Sequence, residues 1–315
     1  MINTPYPPPE TGRKQIHPVL QFLIFIGISI VALVVGTMVG AGIVTALYGL
    51  KTVMAVGNLN VASPHFVTAL WILQITGTTL PILAAPVFFS YVIVGEPRDY
   101  LKPAFRFPWM LFPLVLFIML ISTPTIEILS NINQKMQLPH FLSGVQKWME
   151  DSENSAQKLT ESMLQMKTIG DLVLNVLLIG LLTAIVEEFM FRGVIQTIFI
   201  RWTKSTHAAI WITAILFSAF HMEFFGFLPR LMLGLLFGYF VAWSGSIWPA
   251  VWAHFVNNGG AVIATYLFQH KTIKVNPDDQ HLFSMGSYIF SLVIMLFLLF
   301  LYRKTALDRP QITED

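Results

Sequence analysis

Cysteine is absent from all 315 residues, which excludes disulfide crosslinks, a thiolate nucleophile and any zinc site built on cysteine. Charge is almost as scarce. Only 11% of residues are Asp, Glu, Lys or Arg, against roughly a quarter in an average soluble domain. The formal net charge is +2 and no basic run interleaves with aromatics, so no nucleic acid is expected as a partner. A glycine-rich phosphate loop, a dinucleotide fingerprint and internal repeats are likewise missing. In their place stand 55% hydrophobic and 13% aromatic residues, with a mean hydropathy of +0.67. A soluble chain of this composition could not cover its surface with polar groups, so the surplus must face a lipid bilayer.

Residues 19–50, 66–94 and 282–302 carry no charge. Each is long enough to cross a bilayer, which takes about 20 apolar residues in helical form. Lipid offers no hydrogen bonds to the backbone, so such a stretch must be a helix. The pattern predicts an all-α fold, a polytopic membrane helical bundle of about eight transmembrane helices. The expected spans are 19–50, 66–94, 107–129, 172–200, 207–222, 227–243, 247–268 and 282–302. Gly36 and Gly40 give the first a small-residue contact face, and Pro81 and Pro86 are expected to kink the second.

The domain organisation follows. Residues 1–18 read as a disordered polar tail, 19–130 as N-terminal transmembrane helices and 131–168 as an extramembrane amphipathic segment. Residues 169–268, with very short connections, read as a compact four-helix catalytic core; 282–302 form a C-terminal span and 303–315 a polar tail. The first apolar run exceeds the roughly 7–15 residues of a signal peptide's core and is taken as a retained span. In 131–168, Phe141, Leu142, Val145, Trp148, Met149, Leu159, Met163 and Met166 suit amphipathic helices on the membrane surface, or equally an exposed helical hairpin. Arg13, Lys14, Arg98, Lys102, Arg106, Arg201, Lys204, Arg303, Lys304 and Arg309 fall on one side if both termini are cytoplasmic.

The chemistry sits inside the core. Residues 181–193 place Glu187, Glu188 and Arg192 in an apolar helix, where each charge costs roughly 2.5–3.5 kcal/mol to insert. Glu188 and Arg192, four apart, share a face and can pair. Glu187 points about 100° away, toward a neighbouring helix. The next span ends at His221, and the span after the following one carries His254 and Asn258, one turn apart on one face. Carboxylates with two imidazoles can hold a divalent metal or position a water directly, and an amide can stabilise an oxyanion. Glu223 reads as an interfacial carboxylate or a supporting partner of His221, and Arg230 as a snorkelling residue.

Three motifs follow in order on separate spans: Glu187-Glu188-Phe-Met-Phe-Arg192, Phe217-Ser-Ala-Phe-His221 and His254-Phe-Val-Asn-Asn258. In these the chain resembles the CPBP family of intramembrane proteases, the CAAX-protease and bacteriocin-processing (Abi-type) group, over roughly residues 179–264. The resemblance implies an intramembrane endopeptidase in which Glu187 activates the attacking water with help from His221. It implies that His254 and Asn258 stabilise the oxyanion or orient the carbonyl, while Glu188 and Arg192 hold the geometry or contribute directly. The family is described both with a metal and without one. A divalent ion, zinc first, would have Glu187, His221 and His254 as its ligands. The implied substrate is a membrane protein or peptide, prenylated or bacteriocin-like, and the expected location a bacterial plasma membrane. A non-catalytic membrane peptide-binding or immunity protein, and an ion-coupled transporter, are the alternatives.

Overall fold

The computed structural model describes residues 16–276 and 282–308. The expected tails through residue 15 and from residue 309 lie outside these. Among the described residues every regular element is helical. The principal helices are α1 (Pro18–Tyr48), α2 (Phe66–Ile93), α3 (Leu111–Gln134), α4 (Ser143–Met163), α5 (Ile169–Thr203), α6 (Thr206–Phe220), α7 (Phe227–Ser244), α8 (Trp248–Gln269) and α9 (Met285–Leu307). Six of the helical stretches, those containing α1, α2, α3, α5, α7 and α9, are long and apolar enough to cross a membrane. Two helices of the core fall outside this set: α6 is shorter, and α8 carries His254, Asn257 and Asn258. The outward faces of α1 and α9 expose Leu23, Val31, Met38, Phe290, Leu296 and Phe300, each more than half accessible. Such a continuous apolar surface is stable only against lipid. The chain is an integral membrane protein.

Two hydrophobic clusters hold the bundle. One joins α1, α2, α5 and α6 through Phe25, Phe89, Phe191 and Phe217; the other joins α3, α7, α8 and α9 through Leu111, Phe237, Ala253 and Tyr302. Gly36 matters at the first. A Cβ there would strike the Thr76 carbonyl and Pro81, so glycine lets the backbones of α1 and α2 meet. Around the prolines expected to kink α2 the helix widens into π-helical turns, at Ile75–Thr79 and Phe89–Ile93. Gly77, whose carbonyl Pro81 cannot bond for want of an N–H, lies in the first of them.

Within segment 131–168 the main element is one helix, α4, so the hairpin alternative is not formed, and α4 packs on α2. The Phe225 N–H donates to Glu153 at 3.1 Å, Trp148 packs on Phe224, and Gln269 bonds both Met166 N–H and the Leu164 carbonyl. These anchors draw α4 over the end of the four-helix unit where α6 finishes.

A polar cluster ties the opposite end. Tyr100 donates to Gln21, and Arg201 pairs with Glu96 at 2.7 Å while lying over the Tyr100 ring. Beside it Lys102 is buried and donates to Thr197 of α5. Burial, and then the Arg201 charge, push the Lys102 ammonium down from 10.5 to about 7, with Asp99 opposing. Below pH 7 both folded and unfolded chains hold this proton, and the cost of the buried charge is fully felt. Between about 7 and 10.5 the unfolded chain binds a proton that the folded one has shed, so stability rises with pH, by at most about 1.4 kcal/mol per unit. The melting temperature in detergent should therefore climb from pH 7 to 9, and Lys102→Met should flatten the climb. An equal slope in the variant would assign the effect elsewhere.

Candidate active site

The site is built around one turn of α5. Thr183–Glu188 is α-helical, and π-helical turns flank it at Val176–Leu182 and Phe189–Ile195. Such wide turns recur at functional sites because they re-aim side chains without ending the helix. Glu188 and Arg192 are fully buried and paired at 2.9 Å. Arg192 also donates to the Gly234 carbonyl of α7 at 3.2 Å and lies 4.2 Å from the centre of the Phe217 ring. The phenylalanine of the second motif is thereby explained. Its ring face compensates a guanidinium that has no access to water.

Glu188 has a second partner. His254 Nδ1 donates to its Oε1 at 2.9 Å, and the His254 ring stacks on Phe237 at 5.2 Å. His221 Nδ1 donates to the Phe217 carbonyl at 2.8 Å. In both imidazoles the acceptor at Nδ1 fixes the proton there and leaves Nε2 as the lone-pair nitrogen. Both Nε2 atoms lie 3.8 Å from Glu187 Oε2. That is too long for a hydrogen bond, and Oε2 is buried without a hydrogen-bond partner in the protein. One carboxylate oxygen and two imidazole lone pairs thus converge across gaps of the kind that a bridging water spans.

Asn258 joins them on the cavity wall. Its Nδ2 reaches the Ile179 carbonyl at 3.5 Å, and its Oδ1 accepts from Asn257 at 3.0 Å. All six residues singled out in the sequence, Glu187, Glu188, Arg192, His221, His254 and Asn258, lie in or directly behind one cavity of about 580 Å³. Glu188 and Arg192 form the buried back of it; the other four line it.

The expected metal ligands Glu187, His221 and His254 share this cavity as well. Neighbouring ligands of a tetrahedral zinc lie about 3.3 Å apart, given bonds of about 2.0–2.1 Å. The 3.8 Å spacings exceed this, and among the described residues no three His, Asp or Glu side chains are grouped as a ligand set. The residues as placed do not fit an ion.

Sequence reasoning did not place several further residues at the cavity. Trp71, Gln74 and Thr79 of α2, Leu159 and Met163 of α4 and Arg230 of α7 also line it. None sits in a motif. Their only sequence signal is polarity in an apolar span, at Gln74 and Arg230.

Residues 169–260 match the family described as type II CAAX prenyl endopeptidase Rce1-like. Among curated proteins, the uncharacterized protein YpbD of Bacillus subtilis (strain 168) is 28% identical over 112 residues, 34% of this chain and 52% of that protein. The chain spans about half the length of this curated relative. No solved structure matches. The segment that carries all three motifs is therefore Rce1-like, and the family resemblance read from those motifs holds over it.

Proposed function

We propose that this protein is an intramembrane endopeptidase in which Glu187 deprotonates a water held between it, His221 and His254. The observation that carries the reading is the convergence of both Nε2 atoms on Glu187 Oε2 at 3.8 Å, inside a cavity roomy enough for peptide. Glu187 takes the proton as water attacks the scissile carbonyl, and passes it to the leaving amine. His254, oriented by Glu188, and the Asn258 amide stand next to the developing oxyanion. Asn258 donates there with its remaining N–H. His254 keeps the attacking water in line through its Nε2 lone pair, with the Glu188 carboxylate at Nδ1 fixing the ring. The Glu188–Arg192 pair reacts with nothing. It fixes the His254 ring.

In a second reading Glu187, His221 and His254 would hold a zinc ion, which would supply Lewis-acid chemistry to the water. The ligand spacing does not favour it, and no step above passes through an ion. The test is to compare peptide ends in membranes carrying the native chain or Glu187→Gln, with a chelator added in a parallel sample. New ends that depend on Glu187 and survive the chelator support the metal-free reading. Ends that vanish with the chelator favour zinc, and the lack of any Glu187-dependent end removes the protease reading.

The lysines and arginines in short loops favour cytoplasmic termini in a bacterial plasma membrane. His221 ends α6 at the side opposite Arg201 and Lys204, so the cavity mouth and α4 then face outward. A small exported peptide of bacteriocin type suits that face better than a prenylated cytosolic C-terminus. The chain has no cysteine, so one introduced at Asn154, an exposed position of α4, reports the side directly. It should react in intact cells with a maleimide that does not cross membranes. Labelling only after lysis would reverse the orientation.

A further inference from the structure

Among the described residues Arg230 is the one lining the cavity with a fixed positive charge, and the reaction above gives it no task. Its guanidinium pairs with Glu223 Oε2, and Nη1 reaches the Glu223 carbonyl at 3.4 Å. The two side chains are 25% and 31% exposed. An ion pair this accessible contributes little stability, so another carboxylate can take the place of Glu223 at small cost. The guanidinium is also held in position. It rests against Gly226, where a Cβ would strike it. Arg230, Leu233 and Phe237 lie on one face of α7 and line the cavity together, and Phe237 stacks on His254. Seven residues of helix separate Arg230 from Phe237 by about 10 Å along the axis, a distance that a few extended residues span.

We propose that Arg230 docks a carboxylate of the substrate, with Glu223 as a resident stand-in that the incoming anion displaces. The proposal rests on the protease reading of the same cavity and names what the enzyme recognises beside the cleaved bond. The carboxylate belongs either to the free end of a peptide or to an Asp or Glu side chain. A guanidinium meets both with the same two-pronged geometry.

The test uses the full chain in liposomes and one short fluorescent apolar peptide in three forms: free acid, C-terminal amide, and amide with one internal Asp. The native chain should cleave the free acid with a kcat/KM roughly tenfold above the amide, through KM. A matching gain for the Asp-bearing amide identifies a side-chain source, and a gain confined to the free acid identifies the terminus. R230Q should collapse the ratio toward one, and R230K should restore part of it, since an ammonium keeps the charge without the fork. E223Q should lower the KM of the acid form, because the stand-in no longer competes. Should R230Q fail to fold, Gly226→Ala displaces the same head group and should shrink the ratio likewise. A ratio that persists in these variants, or a native chain indifferent to all three peptides, overturns the proposal. If no peptide is cleaved, the protease reading fails on its own, and binding of the same peptides to Glu187→Gln protein by fluorescence anisotropy decides the docking. An acid preference there that R230Q removes upholds it; equal binding of acid and amide ends it.

Discussion

Replacing Glu187 with glutamine is expected to lower kcat/KM for peptide hydrolysis by about 10²–10⁴, the usual contribution of a positioned general base. This corresponds to about 3–5 kcal/mol of lost transition-state stabilisation. Glutamine keeps the shape of the side chain and removes its basicity. Glu187 Oε2 makes no hydrogen bond within the protein, so nothing structural is broken by the change. The melting temperature in detergent should stay close to the native value, and substrate should still bind, which makes Glu187→Gln a trap. The measurement is the appearance of new peptide ends against time in liposomes, alongside crosslinking of the uncleaved peptide. Hydrolysis at the native rate would show that the 3.8 Å convergence on Glu187 has no chemical role. Crosslinking with no hydrolysis by either form would instead describe a membrane peptide-binding protein.

Arg192→Met should give the largest loss of stability, about 3–5 kcal/mol, because it leaves the Glu188 charge buried with only His254 beside it. Three contacts disappear together: the ion pair, the bond to the Gly234 carbonyl and the stack on Phe217. Arg192→Lys should recover little, since a compact ammonium cannot reach Glu188 and Gly234 while lying flat on a ring. The double variant Glu188→Leu/Arg192→Met removes both charges and should be more stable than Arg192→Met alone, despite carrying an additional substitution. Thermal unfolding of the native chain, Glu188→Leu, Arg192→Met and the double variant in one detergent measures this coupling. A single variant as stable as the native chain would mean that the Glu188 carboxylate does not depend on its partner. Hydrolysis should fall furthest in the double variant, where His254 loses the carboxylate that fixes its Nδ1 proton.

The two carboxylates therefore act differently although they are neighbours in the chain. At 100° per residue, Glu188 turns into the protein toward Arg192 and His254, while Glu187 turns toward the cavity. The first acts through packing and charge balance, the second through its freedom from both. The further inference at Arg230 has the same logic in reverse, since an accessible pair is replaceable where a buried one is fixed.

Much of this was legible in the sequence, for two physical reasons. Bilayer thickness imposes a length on apolar helices, so the charge-free runs from Val19, Phe66 and Leu282 declare themselves without any partner. Helical periodicity is local, so the pairing of Glu188 with Arg192 and the shared face of His254 and Asn258 follow from spacing alone. The scarcity of charge in lipid made the remaining acids and imidazoles conspicuous.

What spacing along one helix cannot carry is the relation between helices, and only the tertiary structure decided it. It joined His254 to Glu188, aimed both Nε2 atoms at Glu187 and set the gap between them at 3.8 Å. It laid α4 across the cavity and brought Gln74 and Arg230 to the wall. These depend on contacts between residues far apart in the chain, such as Glu153 with Phe225 and Gly36 with Thr76. Side-chain volume and backbone approach select such contacts after the helices have formed. The sequence by itself determined which groups were available for chemistry; packing between helices determined the distances at which they meet.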